Sequence, residues 1–101
     1  MTTVDLIIEA TRARANAHAK HGANSIEALA ADSPRWLPVL VEEVGELANT
    51  LTYDGPGHNT RAELIDVLAV VTAWLDAIDS RTRLNARRAE RGLAPIGPNA
   101  A

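Results

Sequence analysis

The 101-residue chain has no cysteine and no phenylalanine, and it holds only one tyrosine, two tryptophans and one methionine. Without cysteine there is no disulfide framework, which fits a reducing compartment. No apolar run reaches membrane-spanning length, and the opening Met-Thr-Thr-Val-Asp lacks the basic head of a signal peptide. We therefore expect a cytoplasmic protein with no membrane partner. Positive charge is also scarce: ten Lys and Arg face thirteen Asp and Glu, for a net charge of −3. That balance argues against a general binder of nucleic-acid polymers.

What is present is largely aliphatic and small. Hydrophobic residues make up 47% of the chain, but nineteen of them are Ala and only twenty-four are Leu, Ile or Val. Such side chains suit closely packed helices and give a single chain a thin core. The expected fold is all-α, an antiparallel bundle of about three to four helices, with helices of a second copy completing it as a dimer or tetramer. The length fits one domain, taken as residues 1–92. Residues 93–101 contain Pro95, Gly97 and Pro98 and are expected to be a flexible tail.

Residues 33–54 organise the reading. Ser33 is a good N-cap and Pro34 suits the first helical position. Pro38 follows early enough to bend the start without breaking the helix. Leu37, Leu40, Val41, Val44, Leu47, Ala48 and Leu51 then recur at helical spacing within one arc of about 120°. Glu42, Glu43 and Glu46 occupy an arc on the other side. A solvated acidic face is the ordinary meaning of such a pattern. Here, however, Glu42 and Glu46 repel across one turn at a cost of a few tenths of a kcal/mol, and no Lys or Arg occurs between Trp36 and His58. Gly45, costing about 1 kcal/mol relative to Ala mid-helix, points to close approach of a backbone or ligand.

On either side lie two further helices. Val4 to about His21 forms the first, with Gly22 as its stop. Lys20 and His21 cluster with His18 at its end, where they serve either the helix dipole or a substrate. A short turn over residues 26–31 follows, capped by Asn24 or Ser25. Residues 52–60 read as a loop carrying His58, a possible ligand contact. The last helix starts near Thr60 and continues into a segment holding Arg81, Arg83, Arg87, Arg88 and Arg91, half of all the Lys and Arg. Its first half, Leu64 to Leu75, contains one charge in twelve residues, Asp66. A helix apolar on nearly all sides is buried on nearly all sides, so an ionised Asp66 needs a partner. Glu63 lies one turn earlier on the same face. A capping box, Thr60-x-x-Glu63, is the competing role for Glu63.

Two i,i+3 acidic pairs on antiparallel neighbours, Glu43 with Glu46 and Glu63 with Asp66, converge on one cavity in this reading. Four carboxylates there repel unless divalent cations lie between them. All-oxygen ligation selects Mg²⁺ or Mn²⁺, and Mg²⁺ held by a few carboxylates usually meets substrate phosphates.

Glu42-Glu43-Val44-Gly45-Glu46, a spacer of sixteen residues and Glu63-Leu64-Ile65-Asp66 resemble the EExxE…ExxD signature of MazG-like nucleoside triphosphate pyrophosphohydrolases. The likeness runs from about Trp36 to Leu75. It implies an obligate helical oligomer that cleaves the α–β phosphoanhydride of a nucleoside triphosphate with Mg²⁺, releasing the monophosphate and pyrophosphate. By position it implies metal ligation by Glu43, Glu46, Glu63 and Asp66, with Glu42 orienting or deprotonating the attacking water. Arg81-x-x-x-Asn85 is similar to a Lys-x-x-x-Asn pattern of the family and implies phosphate contact. Lys20, His21 and Trp36 complete the candidate substrate contacts, although Trp36 and Trp74 both lie within apolar patterns that suit a core. A non-catalytic nucleotide- or metal-binding module and a purely structural bundle are the alternatives.

Overall fold

A computed structural model describes residues 1–52 and 59–97. They form three α-helices: α1 (Thr3–His21), α2 (Trp36–Thr52) and α3 (Thr60–Glu90). Two single-turn 3₁₀ segments, Gly22–Asn24 and Ile26–Ala28, lead from α1 toward α2. No strand occurs among the described residues, and none of their helices is long and apolar enough to cross a membrane. Pro98 and His58 fall outside the described residues, as does most of the predicted loop.

Local chemistry sets each boundary. α1 opens on a capping box: the Asp5 N–H donates to the Thr2 hydroxyl at 3.2 Å, and the Thr2 N–H donates to the Asp5 carboxylate at 2.9 Å. That backbone donation holds the Asp5 carboxyl below its ordinary range. The helix stops where Gly22 adopts φ +56 and returns its N–H to the His18 carbonyl. Ser25 starts the second 3₁₀ turn, and its buried hydroxyl lies 2.7 Å from His18 Nδ1.

α2 starts three residues after its predicted cap, for a clear reason. The Ser33 hydroxyl does accept from the Arg35 N–H at 3.2 Å. Pro38, however, has no N–H to give the Pro34 carbonyl. The first regular bond is therefore Val39 N–H to Arg35 carbonyl, 3.1 Å, and the helix proper begins at Trp36.

At the start of α3 the N-cap residue is Asn59 and makes no side-chain cap. Thr60 is thus already helical, and Thr60-x-x-Glu63 is out of register for a capping box. The Thr60 hydroxyl instead lies 3.1 Å from that of Thr50, which also donates to the Leu47 carbonyl. This clasp joins the end of α2 to the start of α3. Gly92, at φ +71, ends the chain's helical path.

α3 is the spine, packing against both α2 and α1. Trp36 meets Trp74, Glu43 meets Asp66 and Thr50 meets Thr60, so α2 runs antiparallel to α3. Glu9 pairs with Arg61 and Arg14 with Asp76, so α1 advances along α3 in the same sense. The core is small: Trp36, Val70 and Ala73, with Ile26, Leu29, Val39, Leu40, Trp74 and Ala77 around them. The two indoles stack nearly parallel, 5.8 Å between centroids, and the Trp36 indole donates to the Ala30 carbonyl at 2.8 Å. Ala10, fully buried, marks a second point of close packing on α1.

The apolar arc of α2 divides. Leu40 and Leu47 lie half-buried, whereas Leu37, Val41, Val44 and Leu51 are 58%, 60%, 47% and 55% exposed. The strip packed on α3 instead carries Trp36, Val39, Glu43 and Thr50. The radius of gyration is 16.2 Å, against about 13 Å for a compact 100-residue domain. At 1.5 Å per residue α3 is about 46 Å long, and its distal half outruns the other helices.

Beyond Gly92, Ala94 and Ile96 bond back to α3. Asn85 accepts the Ile96 N–H at 2.8 Å and donates to the Ile96 carbonyl at 3.1 Å. Arg88 donates to the Ala94 carbonyl at 2.7 Å.

Removing Trp36 deletes the largest fully buried side chain, its ring stack and an indole hydrogen bond together. Trp36→Ala is expected to cost about 3–5 kcal/mol, measured by urea denaturation at one fixed protein concentration.

Candidate metal centre

α2 and α3 each supply acids to a single point. One carboxylate oxygen from each of Glu43, Glu63 and Asp66 lies within 4.8 Å of the others, and all three residues are half-buried. The antiparallel pairing places Glu43 opposite the Glu63–Asp66 turn of α3. The neighbouring wall is apolar, since Ala69 and Val70 follow Asp66 on α3 and are buried.

Burial is the first cause of the electrostatics here. It pushes the Glu43 carboxyl up to about 7, with the charges of Glu46 and Asp66 next in weight. The proximity of Glu46 and the charge of Glu63 push in the same direction. Burial likewise raises Asp66, helped by the Glu46 charge. Glu46 itself is exposed at the rim, close enough to act on both.

The donor set fits a hard divalent cation. It is all carboxylate oxygen, and Glu43 Oε2 is buried with no hydrogen-bond partner among the described residues. Oxygens sharing one Mg²⁺ stand at most about 4.2 Å apart, so a spread of up to 4.8 Å closes with small side-chain rotations.

The predicted site residues separate into three places. Glu43, Glu63 and Asp66 form the centre, with Glu46 beside it. Glu42 is exposed at the position of α2 just before Glu43, outside the trio. His21 lines a cavity of about 230 Å³ between the helices, whose wall also includes Glu43, Asp66, Asn24, Ser25 and Arg35. Lys20 is exposed near the end of α1. Trp36 is 1% exposed and sits in the core against Trp74. Arg81 and Asn85 lie farther along α3 and engage the chain itself: Arg81 reaches the Ile96 carbonyl at 3.3 Å and Asp32 at 3.5 Å, while Asn85 brackets Ile96.

Sequence reasoning missed Arg35, Asn24 and Ser25. Arg35 precedes Glu43 by two turns with Val39 between them, so a stripe at i, i+4, i+8 was available to find it. Asn24 and Ser25 come from the turn after α1, whose path back toward α2 has no periodic signal. Arg14, which also lines this cavity, is bridged to Glu27 at 2.6 Å and Asp76 at 2.7 Å. These two carboxylates raise its already high pKa further, Glu27 most.

The chain matches no protein-family model, no curated protein and no solved structure.

The raised carboxyls set a direction for stability. A group whose folded pKa exceeds its unfolded value stabilises fully below the unfolded value, and that contribution is lost as pH climbs through the folded one. For Glu43 the window runs from 4.5 to about 7. The metal-free protein is therefore expected to melt lower at pH 8 than at pH 5. Glu43→Gln, which removes the charge, is expected to flatten that difference in thermal melts recorded in chelator.

Proposed function

We propose that the chain is an Mg²⁺-dependent nucleotide pyrophosphohydrolase, cleaving the α–β phosphoanhydride of nucleoside triphosphates to the monophosphate and pyrophosphate. The observation that carries this reading is the meeting of Glu43, Glu63 and Asp66 from two helices in a half-buried position. It joins the EExxE…ExxD resemblance to a spatial cluster that its spacing anticipates.

Glu43, Glu63 and Asp66 would hold the ion, with Glu46 completing the set from the rim. When bound, Mg²⁺ lowers the pKa of coordinated water and offsets charge on the phosphate oxygens. Glu42, one residue along α2 and exposed, is the candidate to orient or accept a proton from the attacking water. Arg35 and His21, on the cavity wall shared with Glu43 and Asp66, would take the anionic end of the substrate. A cation also answers the electrostatic problem of the cluster, since its charge favours the ionised carboxylates that burial disfavours.

Self-association belongs to the same proposal. Leu37, Val41, Val44 and Leu51 make an exposed apolar strip along α2. A second copy covering it would bury what the single chain leaves open.

Liberated pyrophosphate, measured over a panel of canonical and modified nucleotides with Mg²⁺ and Mn²⁺, tests the activity. Asp66→Asn and Glu46→Gln are each expected to abolish turnover with helical circular dichroism unchanged. Full activity in either variant, or none in wild type across the panel, would refute the hydrolase. For the assembly, Val41→Glu is expected to shift the sedimenting species to the monomer, whereas an unchanged profile would place the interface elsewhere.

A further inference from the structure

A second and larger hollow, about 450 Å³, lies along the next turns of α3. It shares Arg14 and Ile26 with the cavity that reaches Glu43 and Asp66. The two hollows are therefore adjacent rooms with a common wall. The larger one has an apolar floor including Leu29 and Ala73, and a polar border of Asp76, Ser80 and Arg81. Its volume falls in the range of about 300–1,000 Å³ typical of small-molecule sites.

Resting on the hydrolase reading, we propose that this hollow takes the nucleoside end of the substrate, with Asp76 and Ser80 as specificity-determining residues. Distance along the spine fits the role. Ala73 stands about 10 Å beyond Asp66 at 1.5 Å per residue, and Ser80 about 21 Å. A nucleotide whose phosphates meet the carboxylates thus lays its sugar and base alongside these turns. Arg14 marks the junction, fixed there by Glu27 and Asp76.

The polar border favours one kind of base. Asp76 holds Arg14 through Oδ2 and its side chain is 65% exposed, which leaves Oδ1 as a second acceptor on the border of the hollow. Arg81 lines the same hollow; two of its five N–H groups are directed to the Ile96 carbonyl and Asp32, and the others remain as donors. An acceptor opposite a guanidinium matches a base edge with N–H groups beside a carbonyl. Guanine presents N1–H and N2–H next to O6. Adenine has no carbonyl, and its pairing nitrogen would meet the carboxylate as a second acceptor. An unpaired polar group at a partly desolvated site is what creates discrimination.

The experiment pairs Ser80→Trp, which blocks the hollow from an exposed helix position, with Asp76→Asn, which keeps the side chain's size and alters its hydrogen bonding. Calorimetric binding of guanosine monophosphate is measured beside hydrolysis of guanosine triphosphate, adenosine triphosphate and base-free ribose 5-triphosphate. Ser80→Trp is expected to weaken guanosine monophosphate binding and raise the guanosine triphosphate KM, each by about tenfold or more, with little change in kcat. Ribose 5-triphosphate hydrolysis should be unchanged, and Asp76→Asn should reduce the preference for guanine over adenine. Hydrolysis by wild type with KM and base preference unchanged in both variants overturns the hollow's role and spares the hydrolase. Guanosine monophosphate binding that Ser80→Trp removes, with no nucleotide hydrolysed, supports the hollow and sinks the hydrolase. Neither binding nor hydrolysis by wild type overturns both.

Discussion

Carboxylates from two helices crowd into a space that favours their neutral forms. Burial and mutual repulsion act in the same direction on Glu43 and Asp66. In a chain with so few large apolar side chains, this opposition falls on the one seam that holds α2 against α3. The seam survives because its ends are secured separately. Trp36 stacks on Trp74 at one end, and Thr50 meets Thr60 at the other, with the acids about midway. A divalent cation between the helices would turn the repulsive centre of that seam into a third fastening. Chemistry and cohesion would then depend on the same side chains.

Much of this arrangement was legible in the residues. Asp66 stood out because it was the only charge in a long apolar run, and its half-buried place beside Glu43 and Glu63 follows from that run being packed. The order of helices and the stop at Gly22 were equally readable, since glycine at positive φ leaves a strong local mark. The start of α2 was less so. Ser33 does cap the turn, but the missing N–H of Pro38 moves the first regular bond inward to Arg35. The Thr2–Asp5 capping box has an ordinary sequence signature, Thr-x-x-Asp.

The division of the α2 apolar arc could not be read from periodicity. Angular position says which residues share a side of a helix, not which edge of that side a neighbour covers. Trp36 settles the matter: once its indole docks on Trp74, the strip through Glu43 faces α3 and Val41 and Val44 turn away. Arg81 and Asn85 show a similar limit. Their spacing resembles a phosphate-contact pattern, yet here their hydrogen bonds go to Ile96. Which acceptor a basic residue finds depends on the return path of the chain beyond Gly92, and no helical period encodes it.

α1 lies on α3 in a different manner from α2. Ala10 is buried, and Ala13, Ala17 and Ala69 line the hollow between the helices. Methyl groups present a smooth surface with few knobs to interlock, so they bring the helices close without strongly fixing their relative position. Longitudinal alignment then falls to charge, through Glu9 on Arg61 and Arg14 on Asp76. The exposed pair is readily screened by electrolyte, while Arg14, only 13% exposed, is better shielded. Concentrated brine should therefore loosen the leading end of α1 from α3 while Arg14 still anchors the middle of the helix.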